Sequence, residues 1–221
     1  MADTRPARGI GGETSQTLDR GLHVLQLLGS RENAGGMTIT QLAAAIGVGR
    51  PVVYRLVATL EAREFVTRRE DGRIRLGLAI TRLSSSVLPL LRETAMPTLR
   101  TLADTVGATA HLTVVEGGEA LAIAVVEPSW TDFHVAYRVG SRHRLESGAA
   151  GRAILAARAG DTAYVVSDGE LQAGAHGIAA PLLGIAGLEA SIGVVAMVPL
   201  NARTVGPQVV SAARTLASAL R

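Results

Sequence analysis

One stretch decides the fold: TITQLAAAIGVGRPVVYRLVATL, Thr38 to Leu60. Thr38 and Gln41 fit a capping box, with a Thr hydroxyl at the N-cap and a Gln side chain three residues on. Leu42, Ala45 and Ile46 are the expected buried stripe of the short helix that follows. Gly47-Val48-Gly49 breaks that helix. A second helix opens at Arg50-Pro51, because proline is tolerated in a first turn whose N–H would have had no partner. Val53, Leu56, Val57 and Leu60 recur at i, i+3, i+4 and i+7 and form its core face. Arg50, Tyr54, Arg55 and Thr59 occupy the opposite face. Two short helices joined by a tight glycine turn form a helix-turn-helix.

The flanks extend the pattern. Upstream, Thr14 to Leu28 reads as a helix with Leu18, Leu22, Leu25 and Leu28 inward and Thr14 or Ser15 as cap. Ser30 to Gly36 reads as a loop. Downstream, Phe65 to Arg69 and Arg73 to Leu76 are strand-like runs around Glu70-Asp71-Gly72, and Asp-Gly is a strong hairpin signal. A helix, a helix-turn-helix and an arginine-bearing hairpin make a winged helix. Residues at the start of a recognition helix reach base edges in a major groove. Arginine pairs there bidentately with guanine. Arg68, Arg69 and Arg73 on the wing would meet phosphate or a minor groove, which positions more than it specifies. Tyr54 reads equally as a helix-packing residue, and Arg68 and Arg69 as a solvated strand face.

Charge supports the nucleic-acid reading. The chain has 221 residues and 22 basic side chains, all arginine, against 19 acidic ones. Residues 1–82 carry twelve Arg against eight acids, and residues 83–221 ten against eleven, so the +3 net charge is a basic first part on a slightly acidic second one. With no lysine, a Walker-type phosphate loop, Schiff-base chemistry and pyridoxal chemistry are excluded. With no cysteine, disulfides, thiol catalysis, iron–sulfur clusters and thiolate zinc sites are excluded as well. At 48% hydrophobic and 3% aromatic residues, the core must be aliphatic and alanine-rich. The longest uncharged apolar stretch, Gly177 to Leu188, is too short for a membrane span. Residues 1–12 lack the apolar centre of a signal peptide and read as a disordered tail. The expectation is a cytoplasmic protein.

The second part mixes helices and strands. Leu76 to Leu91 reads as a linker helix that Pro89 bends or ends, and Pro97 opens another. Strands are expected at His111–Val115, Ala120–Val126, His134–Val139, Ile178–Leu183 and Leu188–Leu200, with a last helix from about Gly206 to Leu220. This order suits an α+β fold with an antiparallel sheet and helices packed on it. Ser147-Gly148-Ala149-Ala150 opens a helix whose first N–H groups are unpaired, so small side chains there permit an anion to approach. An ordinary capped, close-packed helix accounts for the same residues. The five histidines show no metal spacing, and no nucleophile motif frames Ser147. No catalytic residue, metal or cofactor is expected.

The run Gly47 to Leu60, with Phe65-Val66 and Asp71 to Gly77, resembles the DNA-binding domain of IclR-type bacterial transcriptional regulators. Gly140-Ser141, Gly151 to Ala156, Asp168-Gly169-Glu170-Leu171 and Ile178 to Pro181 resemble that family's effector domain, in the same order. The resemblance implies a winged helix over residues 13–77, a linker helix over 78–94 and a GAF-like effector domain over 95–221. It implies homodimers or homotetramers on a palindromic double-stranded DNA operator, commonly as repressors, with small organic or aromatic acids as effectors. The DNA-facing set is then Thr38, Thr40, Gln41, Gly49, Arg50, Val52, Tyr54, Arg55, Arg68, Arg69 and Arg73. The effector set is Ser147, Gly148, Ala149, Ala150, Ser167, Asp168, Glu170 and Met197, with Tyr137 and Trp130 as further candidates for an aromatic-acid pocket. Asp168 and Glu170 also read as plain turn residues. The chain departs from the family at Pro51 and Val52 (usually Ser or Thr), at Glu146 (usually His), at Met197 (usually small and polar) and in the short Ala157–Ala163 connection. That shortening leaves a second reading open, a C-terminal domain that only oligomerises. An enzyme with an appended DNA-binding module is the remote third.

Overall fold

The computed structural model of the protein describes residues 14–130, 135 and 137–221. The tail expected over residues 1–12 lies outside them. Two units divide the chain, Met1–Ser86 and Val87–Arg221.

In the first unit, α1 (Gln16–Gly29), a single 3₁₀ turn (Arg31–Asn33), α2 (Ile39–Ile46) and α3 (Arg50–Ala62) are followed by β1 (Val66–Arg68) and β2 (Ile74–Leu76). The capping box of α2 is formed. The Gln41 backbone N–H donates to the Thr38 hydroxyl at 3.3 Å, and the Thr38 N–H donates to Gln41 Oε1 at 2.9 Å. Gly47 ends the helix in the left-handed region, and between α2 and α3 the axis turns by 109°, within the helix-turn-helix range. Val24, Leu28, Met37, Ile39, Leu42, Val53, Val57, Val66 and Ile74 share one core.

Two expected stripes are rotated. Leu18 and Leu22 are 61% and 51% exposed; Leu28 is buried as expected, Leu25 is half-buried, and Gly21 and Val24 complete the buried face of α1. In α2 the buried partners of Leu42 are Ile39 and Ala43, with Ala45 exposed. Both helices carry apolar residues on two adjacent faces, and only tertiary packing decides between them.

The hairpin strands are shorter than expected, three residues each, with Val66 opposite Leu76 and Arg68 opposite Ile74. Met37 adds a bridge on the far side: its N–H donates to the Ile74 carbonyl at 3.0 Å and its carbonyl accepts from the Ile74 N–H at 2.8 Å. Ahead of the wing, α3 closes with a Schellman arrangement. The Phe65 N–H donates to the Leu60 carbonyl and the Glu64 N–H to the Glu61 carbonyl. This puts Glu64 at φ +61, the one non-glycine residue with positive φ among the described residues.

Helix α4 (Ala79–Val106) runs unbroken through Pro89 and Pro97, so neither proline ends it. Each proline removes one hydrogen bond, at a cost of about 3 kcal/mol in a helix interior. Complete burial of Ala95, Leu99 and Ala103 offsets that cost around Pro97. No single helix among the described residues is long and apolar enough to cross a membrane.

The second unit is built on a six-stranded antiparallel sheet of order β5-β4-β3-β8-β7-β6. Its strands are β3 (Thr109–Glu116), β4 (Glu119–Val126), β5 (Arg142–Arg144), β6 (Val165–Asp168), β7 (His176–Pro181) and β8 (Ala190–Ala196), with α5 (Gly148–Arg158) and α6 (Ala202–Ala219). Alternation gives the sheet two unlike faces. Ala110, Leu112, Val114, Ile178, Ala180, Ile192 and Val194 form one core with Leu99 and Leu102 of α4 and Val209 and Leu216 of α6. On the other face, Ala179 packs under Ala149, Ala150 and Ala153 of α5.

Some elements differ from expectation. The edge strands β5 and β6 are short and partly exposed, which leaves little periodicity to read. Part of the expected His134–Val139 strand, residues 134 and 136, lies outside the described residues, and Tyr137 to Val139 make no ladder. Helix α6 begins four residues before Gly206, capped by Asn201, whose Oδ1 accepts from the Arg203 N–H at 3.1 Å.

Glu64 supplies a test of this packing. A left-handed residue other than glycine costs about 1–2 kcal/mol, and the exposed Glu64–Arg82 pair, 2.8 Å apart, is worth about 0–1 kcal/mol in return. Glu64→Gly should therefore raise the stability of the first unit by about 0.5–1 kcal/mol in urea denaturation. A loss would show that the ion pair outweighs the backbone strain.

Candidate functional site

Each unit carries its own candidate site. In the first, Val53, Leu56 and Val57 anchor α3 to the core, which turns Arg50, Tyr54, Arg55 and Thr59 outward. Tyr54 is 54% exposed, so it does not pack between helices. Gly49 is the N-cap and Val52 is half-buried. Thr40 is exposed at the start of α2. The Thr38 hydroxyl and the Gln41 carbonyl oxygen are occupied with each other, at 3.1 Å. Arg68 and Arg69 are exposed on the wing. Arg73 differs: its Nη1 donates to the Gly36 carbonyl at 2.8 Å, and Arg75 Nε donates to the Gly35 carbonyl at 3.0 Å. These two arginines clasp the loop before α2 to the wing, a role the sequence did not disclose.

In the second unit, a cavity of about 420 Å³ opens between the small-residue face of the sheet, α5 and the segment leading to β7. Its walls include His111 from β3, Tyr137, Arg138, Arg142 and His143, with Ala149 and Ala150 from the start of α5 and Ser167 from β6. Val135, Ser141, Leu171, Gln172, Ala175, Gly177 and Val195 complete it. Glycine makes the room. A Cβ on Gly193 would lie 2.7 Å from the Ile178 carbonyl oxygen and 3.0 Å from His111 Cε1, and one on Gly177 would lie 2.7 Å from Ser167 Oγ.

Of the expected effector residues, Ala149, Ala150 and Ser167 line this cavity and the others do not. Tyr137 lines it too. Ser147 is the N-cap of α5, without a side-chain capping bond. Asp168 points away from Ser167, as strand alternation demands, and its Oδ1 lies 3.2 Å from His176 Nδ1. Met197 lies beyond the end of β8 and is exposed; Val195 takes the wall position. Trp130 caps α4 instead, donating from Nε1 to the Asp104 carbonyl at 2.9 Å with its ring over Gly107.

Glu170 has an unexpected position. Its Oε2 accepts from the Gly148 N–H at 2.8 Å, and Arg152 Nη1 donates to its Oε1. The first N–H of α5 already holds a carboxylate of the chain itself. Leu171 covers the same turn: Gly148 is at φ +76, and a Cβ there would lie 2.6 Å from Leu171 Cδ1.

The polar end of the cavity was not legible as such. His111 Nδ1 lies 3.2 Å from Thr113 Oγ1, and the His111 and Tyr137 rings meet edge to face with centroids 5.2 Å apart. Burial, and secondarily His143, brings the His111 pKa down to about 4. Burial raises the Tyr137 phenol, against the opposing effect of its hydrogen bond with the Thr113 side chain. His143 Nδ1 lies 3.0 Å from the Arg144 carbonyl. Arg142 faces Glu116 and Glu119. The available signal was polar Thr109, His111 and Thr113 at a period of two in a central strand whose alternate residues are apolar. No cluster able to hold a metal occurs among the described residues.

The buried His111 fixes a pH dependence. With a pKa of 6.5 unfolded and about 4 folded, the unfolded chain binds the extra proton between those values. Stability therefore falls as the pH drops through 6.5 and stops falling on this account below about 4. His111→Gln should flatten that part of the urea-denaturation profile. An unchanged slope would assign it to another group.

Comparison with known proteins places both units. Residues 17–70 match the profile of the IclR helix-turn-helix domain, and residues 89–163 that of the bacterial transcriptional regulator IclR C-terminal domain. The HTH-type transcriptional regulator BhcR of Paracoccus denitrificans is 30% identical over 161 residues, 68% of this chain and 54% of that protein. The chain spans about half the length of the curated relatives it matches. A Rhodococcus IclR-family structure superposes with a TM-score of 0.57 at 22% identity, covering 99% of this chain and 96% of that one. An IclR homolog from Microbacterium hydrocarbonoxydans, solved in complex with 4-hydroxybenzoate, gives 0.52 at 20% identity, covering 93% and 99%. These likenesses share the fold, and with profiles matching in both units the chain belongs to the IclR family of transcriptional regulators.

Proposed function

We propose that the chain is a cytoplasmic DNA-binding repressor that reads a palindromic operator as a homodimer or homotetramer and senses a small organic or aromatic acid. The observation that carries the DNA-binding half is the two-sided α3, whose apolar face is buried while Arg50, Tyr54 and Arg55 stand free on the other. Thr38, Thr40, Gln41, Gly49 and Val52 frame that face, and Arg68 and Arg69 supply wing charge for phosphate. Arg73 contributes by holding the wing in place. Exposed Leu18, Leu22, Leu78 and Leu83 support self-association, since a second copy would cover them. If Arg55 reads a base, Arg55→Ala should weaken operator binding by about 1–3 kcal/mol in a gel-shift titration. Unchanged affinity would remove Arg55 from the reading set.

The sensing half rests on the cavity. Ala149 and Ala150 bring the N-terminal N–H groups of α5 to its wall, where a ligand carboxylate meets the positive end of the helix dipole. His111 and Tyr137, edge to face with each other, offer an aromatic corner against which a ligand ring can pack. Ser147, Gly148 and Glu170 shape this end from behind the wall, with Asp168 and Met197 outside it. Glu170 competes for the same dipole, and it favours the second reading, a unit that oligomerises and binds no effector. The competition separates the two. Benzoate should raise the melting temperature of the protein, as any ligand bound only to the native state does. Glu170→Gln, which removes a like charge beside the ligand carboxylate, should then bind benzoate several-fold tighter, about 1 kcal/mol. Absence of any shift across a panel of carboxylates, in both proteins, would establish the oligomerising module.

A further inference from the structure

From Arg50 to Leu60, α3 exposes Arg50, Pro51, Tyr54, Arg55, Ala58 and Thr59. At about 100° per residue, Pro51, Tyr54 and Ala58 fall in one line between Arg50 and Arg55. Neither arginine pairs with a carboxylate among the described residues. Thr59 is turned back on its own helix, with its hydroxyl donating to the Arg55 carbonyl at 3.0 Å. Pro51 has no N–H to offer. Two of the chemistries by which a helix reads bases are therefore missing from this face. It holds no Asn or Gln, whose amides pair bidentately with adenine, and no Asp or Glu to accept from cytosine. Gln41, the one amide side chain of α2, has its carbonyl oxygen engaged by Thr38. What is left is guanidinium and apolar surface. Guanidinium takes guanine, and apolar surface takes the C5-methyl of thymine.

We infer that Tyr54, flanked by Pro51 and Ala58, is a specificity-determining residue whose ring packs on a thymine methyl group in the major groove, so that the operator carries thymine beside the guanines taken by Arg50 and Arg55; this rests on the DNA-binding reading above and deepens it. Charge selects the occupant of the strip. An apolar line between two unpaired cations, with Arg68 and Arg69 exposed on the wing, complements a surface that is anionic at its rims and apolar at its floor. A major groove has that form, bounded by phosphates and floored by base edges on which thymine presents its methyl. The contact also rejects the other pyrimidine. Cytosine in the same place would present an amino donor to a face with no carboxylate to take it. With 54% of its surface exposed, Tyr54 has a ring free to make the contact.

A duplex selected by the full chain from a randomised pool supplies the probe. Each of its thymines is then replaced in turn by uracil, which deletes the methyl and nothing else. In a fluorescence-anisotropy titration, at least one of these replacements should weaken binding about fourfold, the worth of one buried methyl group. At that position Tyr54→Ala should bind the thymine and uracil duplexes within about twofold of each other. Tyr54→Phe should keep the fourfold ratio, because the ring makes the contact and not the hydroxyl. A phenol that met phosphate instead would lose affinity in Tyr54→Phe for both duplexes alike and leave the ratio unmoved in Tyr54→Ala. Tolerance of uracil at every position, a uracil penalty that survives in Tyr54→Ala, or one that is lost in Tyr54→Phe overturns the inference and leaves the DNA-binding reading standing. Binding to duplex DNA without enrichment of any sequence does the same. Failure to bind any duplex overturns both.

Discussion

The second unit depends on how closely α5 approaches the sheet, and that approach is possible only because both surfaces are nearly bare. A Cβ on Gly151 would lie 2.4 Å from the Leu145 carbonyl oxygen, so the helix backbone rests on the strand-to-helix turn itself. Ala149, Ala150 and Ala153 meet Ala179 with almost no side-chain volume between them. The buried Ser191 hydroxyl donates to the Ala150 carbonyl at 3.0 Å and pins the register of the contact. Larger residues on either surface would lift the helix and flood the cavity beside it. The opposite face of the sheet is its complement, because Leu112, Ile178 and Ile192 build a dense aliphatic core with α4 and α6. The stability of the unit resides on that side, which leaves the other free to keep a void.

The winged helix was legible because every signal in it is local. A capping box, a glycine turn, a proline in a first turn and Asp-Gly between short strands all act within a few residues. Where that locality fails, the reading fails. Leu18 and Leu22 share a helical face as good as that of Val24 and Leu28, and only the position of α2 and α3 selects between them. Pro89 reads as the end of one helix and Pro97 as the start of another, yet the 28-residue helix runs through both, and at Pro97 the fully buried Ala95, Leu99 and Ala103 offset the lost hydrogen bond. Arg73 reads as a phosphate contact until the Gly36 carbonyl, 37 positions away, is seen to hold it.

The cavity was less legible for the same reason. Its walls come from six separate segments of chain, and what unites them is the pairing order of the sheet. Ala149 and Ala150 were reached from sequence because they open a recognisable helix start, Ser167 through the resemblance to the family, and Tyr137 as one of few aromatic residues. Asp168 and Met197 were misplaced by geometry that a run of letters does not carry, one side chain alternating outward and the other lying past a strand end. His111 and His143 were weighed as metal ligands by spacing, although their chemistry follows from burial and from which ring nitrogen already has a partner.

The carboxylate of Glu170 gives the start of α5 a second meaning. An unpaired helix start in a dry cavity would bind anions indiscriminately, since its N–H groups and dipole recognise charge alone. With Glu170 on the Gly148 N–H, and Arg152 holding the other oxygen, part of that attraction is already satisfied within the chain. A bound acid therefore gains less from the dipole than it would at an empty helix start, and the difference must come from contacts elsewhere in the cavity. What a ligand would gain then depends on shape and on the polar groups along the wall, Arg138 and Arg142 among them. A sensor needs that arrangement, because a ligand shifts a conformational equilibrium only by its differential affinity for the two states. A site that answered to any anion in the cell would shift it constantly and carry no information.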